Sequence, residues 1–134
     1  MRFDPYVVIS QSSDFRKALR MCRLRLHNAV NGCKKWKLKD SQWKSAFVDI
    51  RWTIARDFRI AKMRVLLSSD RVFSRLQVPV EAEALFDEAR KIKDSAFANT
   101  WYGLKLTVYP DCTSSVEYNL DSNCSVDSHF WDPD

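Results

Sequence analysis

Apolar side chains recur at Phe15, Leu19, Cys22, Leu26, Ala29 and Val30. That spacing lines one face of a helix and predicts helical structure over residues 12–31. Ser12 or Ser13 can cap it, and Asp14 falls in the favourable first turn. Gly32 is placed to end it in a left-handed conformation. A second stripe, Ala82, Leu85, Phe86, Ala89 and Ile92, predicts a helix over about 80–93 opened by Val78-Pro79. Glu81 and Glu83 suit the positive end of its dipole, and Arg90, Lys91 and Lys93 the negative end.

Between these helices the period changes to two. Ala46, Val48, Ile50, Trp52 and Ile54 alternate with Phe47, Asp49, Arg51 and Thr53. A helical face through Ile50, Ile54, Phe58, Ala61 and Val65 competes with that pattern. The β-branched and aromatic content decides for strands: one through residues 46–54, a second over about 58–67 and a third over 72–78, with Ser68-Ser69-Asp70-Arg71 as a turn. Leu104, Leu106 and Val108 alternate with Lys105, Thr107 and Tyr109 before the turn at Pro110-Asp111. Val116–Leu120 then reads as the returning strand of a hairpin. The prediction is an α+β fold: a three-strand meander plus a C-terminal hairpin in one antiparallel sheet, with two helices packed on it.

A length of 134 residues fits one domain, and no linker divides it. Residues 121–134 read as an acidic tail with one aromatic knot. No apolar run approaches the roughly 20 residues of a membrane span. No signal-like apolar region follows Met1-Arg2-Phe3-Asp4-Pro5, which predicts a cytosolic protein without membrane contact. With only two glycines, Gly32 and Gly103, Gly-rich phosphate loops are excluded.

Charge is segregated. Residues 1–109 hold all 22 basic residues and 11 of the 17 acidic ones, a net +11. Residues 110–134 hold no basic residue and six acids, a net −6. Either two surfaces serve different partners or an acidic tail folds over a basic body. The acidic part carries Tyr109, Tyr118, Phe130 and Trp131 among Asp111, Glu117, Asp121, Asp127, Asp132 and Asp134. Aromatic anchors with charged neighbours are the composition of tight protein interfaces. The candidate partner-binding set is therefore Tyr109, Asp111, Glu117, Tyr118, Asp121, Asp127, Phe130, Trp131 and Asp132. The competing surface is basic: Arg16, Arg20, Arg23 and His27 at helical spacing, continued by Lys34, Lys35 and Trp36 in the connector. It suits nucleic acid or an acidic partner.

Signals for catalysis are sparse. Cys22, Cys33, Cys112 and Cys124 form no Cys-x-x-Cys pair and no finger spacing with His27 or His129. This favours reduced thiols over a redox link or a zinc site. Neither histidine has a sequence-adjacent nucleophile, and paired acids are ordinary in an acidic segment. The expectation is a protein without enzymatic activity, cofactor or metal.

One resemblance adds to this. A strand ending in Pro79 leads to a helix carrying Glu-Ala-Leu-Phe-Asp-Glu-Ala-Arg at 83–90. Trp101 then precedes Leu104–Asp111, and Val116–Asp121 closes the stretch. This order, over residues 72–121, resembles the YezG-type antitoxin and immunity proteins of bacterial competition systems. Their hairpin usually ends in a Tyr-x-x-Asp step, for which Tyr118 and Asp121 stand here, and usually has Gly after the turn Asp, where this chain has Cys112-Thr113. The resemblance implies an inhibitor that binds a cognate toxin domain and blocks its active site. The alternative from another class is a small nucleic-acid-binding module acting through the Arg-rich helix.

Overall fold

A computed structural model describes residues 12–33, 42–52, 59–96, 102–119, 121 and 124. The elements are α1 (Ser13–Gly32), β1 (Trp43–Trp52), β2 (Arg59–Leu67), β3 (Val72–Phe73), α2 (Val80–Ala96), β4 (Gly103–Val108) and β5 (Ser114–Asn119). The five strands form one antiparallel sheet in the order β3-β2-β1-β4-β5. The chain meanders through β1, β2 and β3, passes through α2, and adds the β4–β5 hairpin on the other side of β1. The predicted α+β architecture is the observed one. No helix among the described residues is long and apolar enough to cross a membrane.

β1 is the central strand because it pairs on both sides, along its length with β2 and over Ala46–Arg51 with β4, so that Val48 lies opposite both Met63 and Leu106. Its alternation puts Ala46, Val48 and Ile50 into the core beside Met63, Val65 and Leu67 of β2 and Leu104, Leu106 and Val108 of β4. The helices cover this layer with Phe15, Cys22, Leu26 and Val30 from α1 and Ala82, Leu85, Phe86 and Ala89 from α2. Arg59 ties the sheet to α2: its guanidinium donates to Asp87 and lies 5.6 Å from the Phe86 ring centroid. Trp43 ties β1 to α1, its indole Nε1 donating to Asn31 Oδ1 at 3.1 Å.

Element ends differ from expectation in instructive ways. Ser12 is the cap of α1, its hydroxyl accepting from the Phe15 N–H at 3.3 Å. Gly32 does not adopt a left-handed conformation. The Cys33 N–H bonds to the Val30 carbonyl at 3.2 Å and closes the last turn tightly, so no left-handed residue is needed. The third strand stops at Phe73 rather than running to Val78, because pairing to Leu66 and Val65 is all it finds. Pro79 sits just before α2, its carbonyl accepting from the Ala82 N–H at 3.0 Å, and α2 runs to Ala96, past the expected end at 93. β5 begins at Ser114, two residues earlier than its apolar pattern indicated. The link between the first two strands (53–58), with Ile54 and Phe58, lies outside the described residues, as do the basic connector with Lys34, Lys35 and Trp36, and also Trp101 and Leu120.

Candidate functional site: two surfaces that meet at the hairpin tip

The basic stripe divides. Arg16 and Arg20 are exposed on α1. Arg23 is half-buried and turns toward the sheet edge, Nη1 donating to Ser114 Oγ of β5 at 3.3 Å. His27 is not part of an exposed basic face. It is half-buried with its ring edge-on to Trp43, centroids 5.5 Å apart, and its Nε2 is buried without a hydrogen-bond partner among the described residues. A helix turns about 100° per residue, so Arg23 and His27 lie on the flank between core and solvent.

Two further cations, Lys17 and Arg25, are exposed on α1, and sequence reasoning had not singled them out. Among the described residues, no hydrogen bond or ion pair engages the side chains of Arg16, Lys17, Arg20 or Arg25. In their midst stand two large apolar side chains facing water, Met21 at 53% exposure and Leu24 at 64%. The signal was present in the sequence: both fall opposite the buried stripe of Phe15, Cys22, Leu26 and Val30.

The acidic set is dispersed. Asp111 sits in the β4–β5 turn, where its Oδ1 accepts from the Thr113 hydroxyl at 2.6 Å and the Thr113 N–H at 3.0 Å. These bonds hold its carboxyl below the usual range, and the charge of His27 adds a smaller push in the same direction. Tyr109, 37% exposed, flanks the same turn. Glu117 lies on the sheet face away from the helices, across from Lys105, which rests 4.3 Å from the Phe47 ring centroid. Tyr118 points the other way and packs against the core. Asp121 follows the far end of β5, and six residues of strand put about 20 Å between it and the turn of Asp111. Asp127, Phe130, Trp131, Asp132, Asp134 and His129 lie outside the described residues. What the structure brings together is therefore mixed: Tyr109 and Asp111 of the hairpin tip beside Arg23 and His27 of α1.

The sheet face opposite α1 and α2 holds a buried ion pair that the alternation pattern did not reveal. Asp49 and Arg51 are two residues apart on β1, their side chains 10% and 12% exposed. Arg51 donates from Nε at 3.3 Å and Nη2 at 3.1 Å to the two Asp49 oxygens, and from Nη1 at 2.7 Å to the Cys124 carbonyl. Cys124 is itself buried, its Sγ 3.5 Å from the Tyr102 carbonyl. Gly103 makes room: a Cβ there would come within 3.1 Å of the Ile50 carbonyl and 3.3 Å of Arg51 Cγ. A shallow cavity of about 310 Å³ opens beside the pair, lined in part by Lys105, Glu117 and Asn119. The Asp49 carboxylate is neutralised by Arg51, so this cavity offers a structural clamp rather than a free base.

The described cysteines are free thiols. Burial, reinforced by the charge of Glu81, pushes the Cys22 thiol up to about 12, and burial also raises Cys124 against the opposing charge of Arg51. Both are poor nucleophiles for that reason. Among the described residues no group of three or more His, Cys, Asp or Glu side chains is placed to hold a metal ion. No family model matches this chain, and no curated protein matches it in sequence.

Proposed function

We propose that this protein acts by binding another protein, as an immunity-type inhibitor of a toxin domain, and that the outward face of α1 makes the contact. The observation that carries the reading is the pairing of exposed Met21 and Leu24 with surrounding cations that have no side-chain partner among the described residues. A phosphate backbone uses cations and gains nothing from a thioether and an isobutyl group in water. A protein partner uses both, through apolar anchors at the centre and steering charges at the rim. Tyr109 and Asp111 border this surface through the Arg23–Ser114 contact and extend it toward the acidic segment. The motif order of residues 72–121 supports the immunity class. The toxin domain supplies the chemistry in this account, and the present chain works by occlusion.

A second reading has one observation in its favour. Arg16, Lys17, Arg20 and Arg25 are four exposed cations on one helix with no side-chain partner among the described residues, the footprint of phosphate binding.

Co-expression separates the two. A toxin domain encoded beside this gene should arrest growth, and the wild-type chain should restore it. The Met21→Ser/Leu24→Ser double variant should rescue poorly while remaining folded by circular dichroism. Affinity for labelled DNA or RNA that falls steeply with salt, and is indifferent to Met21→Ser/Leu24→Ser, would transfer the function to nucleic acid.

A further inference from the structure

We infer that the outward face of α1 is a two-turn helix-pairing seam whose occupant is an acidic amphipathic helix of the partner protein. The inference rests on the protein-binding reading above and adds the chemistry and geometry of the partner.

Asp14, Lys17, Met21, Leu24, Asn28 and Asn31 are all exposed, and they succeed one another at intervals of three and four. That is the a/d spacing by which one helix packs along another. The buried stripe of α1 faces its own core, so this seam is a second one, exposed among the described residues. Its two central positions are the apolar ones, Met21 and Leu24. Its outer positions are polar, which limits the dry contact to about two turns.

Flanking charge selects the occupant. With Met21 at a and Leu24 at d, Arg20 takes the preceding g position and Arg25 the following e position. Those positions set partner choice in paired helices. A second copy of this chain is a poor occupant. Paired parallel, Arg20 would face Arg25, and paired antiparallel, each arginine would face its own counterpart. A helix with Glu or Asp at the facing positions and leucine-like residues on its seam satisfies both arginines and covers both apolar side chains. Anionic lipid and nucleic acid share the charge requirement only.

The test uses the full chain and a synthetic peptide of about four heptads with Leu at a and d and Glu at e and g. Glu on both flanks also discourages the peptide from pairing with itself. Backbone-amide NMR of the labelled protein reads where the peptide sits. Titration should shift amides across residues 17–28 first. The Arg20→Glu/Arg25→Glu variant should weaken the Glu peptide by about tenfold or more and bind its Lys-flanked counterpart instead. Because both arginines are exposed and outside the core cluster, these substitutions leave the core untouched. Shifts confined to another surface, or equal affinity for the Glu- and Lys-flanked peptides, overturn the inference. So does perturbation of the same amides by phosphatidylserine vesicles or single-stranded DNA where the Glu peptide leaves them unmoved. Growth rescue that survives Arg20→Glu/Arg25→Glu sinks the seam and spares the immunity reading, whereas peptide docking without rescue does the reverse.

Discussion

Cys112 shows how a single residue carries the hairpin. Its φ is 71°, a left-handed backbone that costs an L-residue about 1–2 kcal/mol. The turn holds it there by local bonds: the Cys112 N–H to the Tyr109 carbonyl, the Tyr109 N–H to the Thr113 carbonyl, and Asp111 accepting twice from Thr113. The position wants glycine, the residue that the YezG-type proteins usually carry after the turn Asp. Cys112→Gly should therefore raise unfolding free energy by about 1 kcal/mol in urea titration. An unchanged or lowered midpoint would mean that the strain is relieved in solution. Asp70, at φ 68° between β2 and β3, takes the same conformation, which Asp tolerates better than most residues. Residue-level chemistry of this kind was only half legible. The turn at Pro110-Asp111 was visible from composition, but the residue that would bear the strain was not.

Among elements, the pairing of α1 with α2 is the most informative. Asp14 acts electrostatically on Lys91, near the far end of α2, and Glu81, at its start, acts on Cys22. The helices thus run antiparallel, and Cys22 is sealed between them. Its thiol stays neutral in the fold up to about 12, whereas the unfolded thiol ionises near 9.0. Above pH 9 the unfolded state binds fewer protons than the native one, so stability must fall as pH rises toward 12. The contribution from this group approaches about 1.4 kcal/mol per pH unit inside that window. Cys22→Ala should be less stable at pH 8 yet show a shallower loss between pH 9 and 11 in denaturant titrations. An identical slope would place the ionisation elsewhere. The strands were legible for a simple reason: Ala46, Val48 and Ile50 need one buried face, and period two supplies it. The helical alternative through Ile50, Ala61 and Val65 fails because β1 finds strand neighbours on both sides, β2 along its length and β4 over Ala46–Arg51. Element ends were less legible. At Gly32 and Phe73 the stop depends on which carbonyl or edge is available, and that is a tertiary fact.

At the scale of the molecule, the charge split in the sequence does not become two clean poles among the described residues. Strand alternation sends Glu117 and Tyr118 to opposite faces, β5 separates Asp111 from Asp121, and Arg23 leaves the basic stripe for Ser114. The acidic end was visible as composition, but composition does not register direction along a strand. The Asp49–Arg51 clamp was hidden for a related reason: its residues sat at the polar positions of an alternating pattern, where exposure is the default. Among the described residues, what survives as a coherent surface is the outward face of α1, with Met21 and Leu24 amid exposed cations, joined to the β4–β5 hairpin by the Arg23–Ser114 contact. The helix was predicted from its buried side, and its function is argued from the other side.

Hydrogen exchange on the full chain, alone and with the toxin domain proposed as its partner, tests that claim most directly. The account predicts new protection over α1 from Lys17 to Asn28, with a smaller effect at Tyr109 and Asp111. Protection confined to β5 and the residues after it, with α1 exchanging as in the free protein, would contradict it.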